Sequence, residues 1–398
     1  MLSSQSMYRK LFFSLIPITF LFLCLELSLR IIDFHGTSIQ DIRLTSGFQL
    51  NAYVQRRDRI LGNWFIEKEG RFHSNPYLIE RGFHSQSFAK DPSNIRIFTL
   101  GGSTTYGSPF EHEQAGFAEV LERKINIDTT EWEFINWGVA GMDSSTFPSI
   151  LKEMKNYSAD AIIIYAGNNE ITGQLIEQCS NPHKKFLYKQ LHRLRSIQLL
   201  EDQYRRFKGV TISFTELSEH QNDCMQRALK EIQESSLSIQ EIARKRFAQN
   251  IQESINIATK NNTTVFLIIP PINLLAKPKY TEKGARDPFY FYSLGMQELQ
   301  HNPEEARRNL EKALELDQFS QRITIDMQKD LRSICQQNSD IYCIDLDRIF
   351  REKSPQGIAR DDLFHDFCHP TKEKGTNLIV DSLLPVLLDW RDSRQEPQ

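Results

Sequence analysis

The chain has 398 residues, 40% apolar and 25% charged, with 18 Gly and 15 Pro. That composition excludes disorder, collagen-like repeats and a membrane-embedded bundle for the bulk of the chain, and the length allows a core of normal size. A formal net charge of −3, from 48 basic and 51 acidic residues, gives no basicity that would point to nucleic acid, and six cysteines are too few for a disulfide scaffold or a zinc ribbon.

The first element departs from this average. Leu11 to Leu29 reads LFFSLIPITFLFLCLELSL, 19 residues with one charge, Glu26. At 1.5 Å per residue it spans about 29 Å, close to the hydrocarbon thickness of a bilayer. Arg9 and Lys10 precede it. By the positive-inside rule, residues 1–10 are expected in the cytoplasm and 11–32 as a single-pass anchor in the inner or plasma membrane. The rest of the chain then lies on the periplasmic, extracytoplasmic side. No A-x-A-like site follows, and Cys24 is preceded by Leu23 rather than by a small residue, so the segment reads as an uncleaved signal-anchor.

Residues 33–93 are polar and aromatic without a sustained period and read as a neck with irregular strands. From 94 to 391 the pattern is α/β. Ile95–Leu100 is a short apolar run closed by Gly101 and Gly102, and Glu113–Ile125 has helical spacing. Trp132–Trp137 is a second strand, Phe147–Tyr157 a helix and Ala161–Ala166 a third strand, closed by Gly167. Thr264–Ile269 and Ile341–Leu346 complete five strands. Apolar strands alternating with helices predict a parallel sheet covered on both faces, a three-layer α/β/α sandwich. Two helical insertions interrupt it, at 171–247 and 276–325. The second contains NPEEARRNLEKALELD (Asn302–Asp317), which is like one helix of a tetratricopeptide unit. A lone unit cannot bury its own face, so a helical hairpin packed on the core is expected.

In a doubly wound sheet, ligands bind beyond the carboxyl ends of the strands. Ser103 follows the first strand directly in LGGSTTYG. The stretch is neither a nucleophile elbow, a phosphate loop nor a dinucleotide fingerprint, and taken alone a Ser after two glycines reads as a helix N-cap. The far end of the chain adds HDFCHPT, with Asp366 three residues before His369. A serine hydroxyl needs a base to take its proton, and the base works best when a carboxylate fixes its tautomer. Acyl transfer also needs donors aimed at the developing oxyanion. The backbone N–H groups of Ser103 and Gly141 and the side-chain amide of Asn169 are candidates, each near a strand end, although Gly141 and Asn169 are separately ordinary turn residues.

In this order and context the four pieces resemble the SGNH (GDSL-like) hydrolase superfamily. Gly101-Gly102-Ser103 matches its GDS block with Gly102 in place of Asp, and Gly141 matches its oxyanion glycine. Gly167-Asn168-Asn169-Glu170 matches G-x-N-D with Glu170 in place of Asp, and Asp366 and His369 match D-x-x-H. The resemblance implies a flavodoxin-like sandwich and a serine esterase or deacylase with Ser103, His369 and Asp366 as triad. Ser103, Gly141 and Asn169 would form the oxyanion hole, with Gly102, Gly167 and Glu170 in support and no cofactor. The implied substrate is an acyl ester, such as an O-acetyl or acyl group on a cell-surface glycan or lipid. An acyltransferase to an envelope glycan and a non-catalytic anchored scaffold are the alternatives.

Four further features are weighed. His365, Cys368 and His369 have no second ligand pair at metal spacing, so no metal is expected. Lys184–Lys208 carries eight basic and two acidic residues along an amphipathic face, read as a lid helix with a solvated basic side rather than as a surface for anionic headgroups. Tyr106 is a candidate for the substrate pocket or for the core. In an oxidising compartment Cys335 could pair with Cys343, and Cys179 with Cys224, leaving Cys368 over.

Overall fold

The computed structural model describes residues 4–32, 63–79, 83–109, 116–127, 131–178, 194–197, 199–200, 203, 239–279, 287–318 and 320–395. Helix α1 spans Ser4–Ile31. Glu26, the single acid of the apolar segment, accepts from the backbone N–H and the hydroxyl of Ser196 and pairs with Arg30. Among the described residues no helix is long and apolar enough to cross a membrane, so the anchor expected at 11–32 has no support there.

The neck is more regular than its sequence indicates. Strands β1 (Phe65–Lys68), β2 (Arg71–Ser74) and β3 (Ser87–Ala89) form an antiparallel sheet in the order β1-β2-β3, with the single turn of α2 (Pro76–Ile79) between the last two. Strands of three and four residues are too short for a period of two to register. Their inward aromatics nevertheless decide the packing. Phe65 and Phe88 meet edge-on at 4.9 Å, and Trp64 and Phe65 both contact Trp137. The extension from residue 63 onward is thereby part of the main core.

Next come β4 (Ile95–Gly101), the one-turn helix α3 (Ser103–Tyr106), α4 (Phe117–Ile125), β5 (Trp132–Gly138), α5 (Phe147–Met154), β6 (Ala161–Tyr165) and α6 (Glu170–Gln178). Helix α4 runs from Phe117, and residues 113–115 of its expected range lie outside the described residues. After the first insertion follow α7 (Ile239–Lys260), β7 (Thr264–Ile269), α8 (Pro288–Glu298), α9 (Pro303–Leu316), α10 (Ile325–Gln337), β8 (Ile341–Asp345), α11 (Leu346–Glu352) and α12 (Gly375–Gln395). The five strands pair in parallel in the order β5-β4-β6-β7-β8, as the continuous apolar runs require.

Alternation along each strand divides the core in two. Phe98, Leu100, Ile162, Ile164, Val265 and Leu267 face one side, under α5, α7, α10 and the neck sheet. Ile97, Ile163, Phe266 and Ile344 face the other, under α4, α11 and α12. The register sets Gly101 opposite both Gly138 and Tyr165, so these strand ends lie level. At the edge strand β5, the side-chain amide of Gln86 donates to the carbonyl of Asn136 (2.8 Å) and accepts its N–H (2.7 Å).

The second insertion is the expected helical hairpin. Asn302 caps α9 by accepting from the Glu305 N–H, and Gly295 of α8 lies against Ala306 and Leu310, where a Cβ would come within 2.6 Å of the Leu310 side chain. Leu310 and Leu314 carry the hairpin into the main core. Most of the first insertion, most of the basic segment 184–208 and the pairing of Cys179 with Cys224 lie outside the described residues.

Cys335, at the end of α10, is disulfide-bonded to Cys343 in β8, while Cys368 is free and buried. Closing so short a loop removes little unfolded-chain entropy, so Cys343→Ser should lower the unfolding free energy by about 2–3 kcal/mol. Urea denaturation of the non-reduced protein checks this, and a peptide map without reductant should give one linked fragment holding both cysteines.

Candidate active site

Ser103 is placed by the way β4 ends. The strand stops at Gly101 and the chain turns at once into α3, with Ser103 as its first residue. Asn136 in the neighbouring strand β5 holds that turn from below. Its Nδ2 donates to the Thr105 carbonyl (2.8 Å) and to Glu119 (2.7 Å), and its Oδ1 accepts the Gly138 N–H (2.8 Å).

The loop between α11 and α12 brings the acid and the base. His365 donates its N–H to the His369 carbonyl, and Thr371 donates to the Leu363 carbonyl, which closes 363–371 into a hairpin-like loop. Within it Asp366 makes an Asx turn: Oδ1 accepts the N–H groups of Cys368 and His369, both at 2.9 Å. That leaves Oδ2, which lies 2.7 Å from His369 Nδ1. His369 Nε2 is in turn 2.7 Å from Ser103 Oγ. Burial alone would raise the Asp366 pKa, but hydrogen bonds from the His369 ring and the two amides outweigh it and bring it down to about 2. An ionised carboxylate can only accept, so the imidazole proton sits on Nδ1, Nε2 is an acceptor, and the Ser103 hydroxyl donates to it.

The third strand end supplies the amide. Gly167 follows β6 with φ +129°, where a Cβ would strike Ile323 within 2.6 Å. Only glycine suits that turn, and it delivers Asn168 and Asn169 to the head of α6. Asn168 Oδ1 accepts the Ile323 N–H at 3.0 Å. Asn169 Nδ2 donates to the Met142 carbonyl at 3.0 Å, which fixes the plane of the amide. The same nitrogen lies so near Gly102 that a Cβ there would come within 2.5 Å of it. A side chain at Gly102 would thus push the Asn169 amide out of its present place. Ser103, Gly102, Met142, Gly167 and Asn169 line one small crevice. Gly141 is not part of that lining. It lies in the loop after β5 with φ +76°, next to Met142.

Glu170 secures this loop from behind. Oε1 accepts the Ser144 N–H (3.1 Å) and Oε2 the Ser144 hydroxyl (2.8 Å), while Asn250 of α7 donates to the same hydroxyl. Burial, then the proximity of Asp143, pushes the Glu170 pKa up to about 8. Tyr106 is buried with its ring 4.4 Å from that of His84. The oxygen, sulfur and nitrogen of Asp366, Cys368 and His369 lie within 4.8 Å of one another, the one group among the described residues with metal-ligand proximity, and His365 does not join it. Burial pushes the Cys368 thiol well above its ordinary range, so it stays protonated beside His369 Nδ1, 3.8 Å away.

Sequence reasoning passes over two contributors. Met142, whose carbonyl orients Asn169, leaves no signal, because a backbone acceptor has no residue signature. Asn273, whose amide reaches the Asp366 carbonyl at 2.7 Å, follows the carboxyl end of β7. That strand closes with Pro270-Pro271 rather than glycine, so a search of glycine-closed strand ends skips it.

No family model and no curated protein matches the chain. Solved structures similar to it include a psychrotrophic esterase from Pseudoalteromonas sp. (12% identity, 75% of this chain and 100% of the other, TM-score 0.37). Two more are a GDSL-like lipase from Bacteroides thetaiotaomicron (10%, 76% and 92%, 0.36) and an acetylxylan esterase from Geobacillus stearothermophilus (10%, 74% and 95%, 0.35). Likeness at this level assigns neither family nor activity, and the chemistry of the site rests on its own geometry.

Glu170 makes one solution property predictable. Its folded-state pKa of about 8 exceeds its ordinary value of 4.5, so across that interval the native state holds a proton that the unfolded chain has released. The stability from this group is full below 4.5 and is lost as pH rises through about 8. The unfolding free energy should therefore decline over that window, and Glu170→Gln should flatten the decline, as measured by urea denaturation at a series of pH values.

Proposed function

We propose that the chain is a serine acyl-ester hydrolase of SGNH type. One observation carries the reading: Ser103 Oγ, His369 Nε2, His369 Nδ1 and Asp366 Oδ2 form a continuous chain with two 2.7 Å links. Ser103 attacks the acyl carbon and passes its proton to His369 Nε2, while Asp366 steadies the imidazolium through Nδ1. The carbonyl oxygen, now negative, accepts from the Asn169 amide and from the Ser103 N–H; Gly141, expected as a third donor, lies outside the crevice that these two line. Collapse expels the alcohol, which takes the proton from His369. Water then repeats the sequence on the acyl-enzyme and releases the carboxylate. Asn169 spends one Nδ2 hydrogen on Met142, which leaves the other for the oxyanion.

The substrate in this proposal is an acyl ester on a cell-surface glycan or lipid, reached on the extracytoplasmic side of a membrane that residues 11–32 enter. Two observations support that setting. Phe20, Leu21, Leu23 and Leu27 of α1 are all more than half exposed, an apolar surface that water penalises. The Cys335–Cys343 disulfide suits an oxidising compartment.

With the full chain in detergent, p-nitrophenyl acetate turnover and fluorophosphonate labelling test the chemistry. Ser103→Ala should abolish labelling, and His369→Ala should nearly abolish turnover because no base remains. Asp366→Asn should be severe through loss of the correct tautomer. Asn169→Ala should lower kcat about 10²-fold with little change in KM, as for a contact made mainly in the transition state. His365→Ala should keep most activity. A Ser103→Ala protein that still hydrolyses the ester at full rate would end the reading. Topology has its own test: a reporter fused after residue 40 should be active outside the cytoplasm, and cytoplasmic activity would reverse the orientation.

A further inference from the structure

We propose that Asn273 is a positioning residue for the acid–base loop, and that the helical-hairpin insertion serves to hold Asn273 in place. The inference rests on the triad reading above. Asp366 has three acceptor oxygens to anchor. The loop's own amides take Oδ1 and the His369 ring takes Oδ2. The backbone carbonyl receives its hydrogen bond from outside the loop, from Asn273 Nδ2 at 2.7 Å. It is a long-range bond, 93 residues apart in sequence, that ties the turn carrying the acid to the main sheet.

Asn273 is itself heavily constrained. It is buried, at 3% exposure, and its Oδ1 accepts the Leu275 N–H at 3.1 Å, which leaves Nδ2 aimed at Asp366. Its carbonyl accepts from Arg322 Nη1 at 2.7 Å, and the same nitrogen donates to the Ala276 carbonyl at 2.9 Å. Arg322 is buried too, with Asp317 opposite its charge at 3.7 Å. Asp317 caps the end of α9 and accepts the Lys279 N–H. From α10, Gln328 donates to the Pro270 carbonyl at 2.7 Å. The segment 270–279 is thus fastened at several points by the end of the hairpin and the helix after it, and it reaches the loop through the Asn273 hydrogen bond and through Lys279, whose Nζ lies 4.3 Å from the centre of the Phe367 ring.

The mechanical consequence concerns aim. Asp366 and His369 share one short turn, so their mutual geometry is local and survives displacement of the loop. The distance from His369 Nε2 to Ser103 Oγ is not local, and it depends on where the whole turn sits. A shift of about 1 Å in a reacting group can cost about 10²-fold in rate. The hairpin that interrupts the α/β pattern would then be a support for catalysis and not an ornament on the fold.

Asn273→Ser tests this. Serine can keep the acceptor for Leu275 but is too short to donate to Asp366. In the full-length protein, kcat per fluorophosphonate-titrated site should fall about 10- to 10²-fold with KM within about twofold, as for misaligned reacting groups. The downfield proton resonance of the His369–Asp366 bond should persist, because that bond is local, while the rate of Ser103 labelling falls with kcat. A merely structural role would reduce the number of titratable sites and leave kcat per site unchanged, and that result overturns the proposal. If Asn273→Ser does not fold, Asn273→Asp, which keeps volume and acceptor but not the donor, carries the same measurements. Ser103→Ala run alongside separates the two levels. Loss of labelling there with normal kcat in the Asn273 variant overturns the positioning role alone. Persistent labelling and turnover in Ser103→Ala overturn the site and this role together.

Discussion

One hydrogen bond joins residues 266 positions apart, Ser103 and His369, and most of the architecture serves to bring their atoms to 2.7 Å. Neither residue reaches for the other with a long side chain. The serine hydroxyl is the shortest of nucleophiles, and the imidazole is fixed at its far nitrogen by Asp366. Backbone must therefore do the placing. The parallel register sets the ends of β4, β5 and β6 level, so chain leaving the first and third strands arrives beside the same point. The acid–base loop has no strand of its own and must be brought to that point by α11, α12 and the contact from Asn273.

Charge in the site is distributed with similar economy. Two acids near Ser103, Glu170 buried and Asp366 partly exposed, are driven in opposite directions by their surroundings. Asp366 has hydrogen bonds enough to stay ionised. Glu170 also accepts hydrogen bonds, but its complete burial and the nearby Asp143 outweigh them, so it is held toward its neutral form and braces Ser144. A pair of carboxyls equally solvated could not divide the roles in this way.

The sequence made the sheet legible because each strand is buried on both faces and so reads as an unbroken apolar run. Ile162, Ile163 and Ile164 are all fully buried, and such a run admits few other interpretations. The triad candidates were legible because Asp366 and His369 stand three residues apart and Ser103 directly follows the first strand, and the pieces gain meaning only when taken together in chain order. Three things were not. The neck sheet has strands too short to display a period. Gly102 looks like a defect in a known pattern until the Asn169 amide is seen in the space a side chain would take. Asn273 donates to the backbone carbonyl of a distant residue and Met142 accepts with its own, and nothing in a linear string marks a carbonyl that needs a donor.

The side-chain amide of Gln86, paired in both directions with the backbone of Asn136, is in effect a one-residue imitation of a sixth strand. An edge strand offers a free row of donors and acceptors to any other extended chain, and proteins that leave such rows open are prone to stack edge to edge. Gln86 fills the row at Asn136, the same residue whose side chain holds the nucleophile turn from below. The plug thus occupies, beside the turn that carries Ser103, the backbone groups that a foreign strand would need in order to pair there.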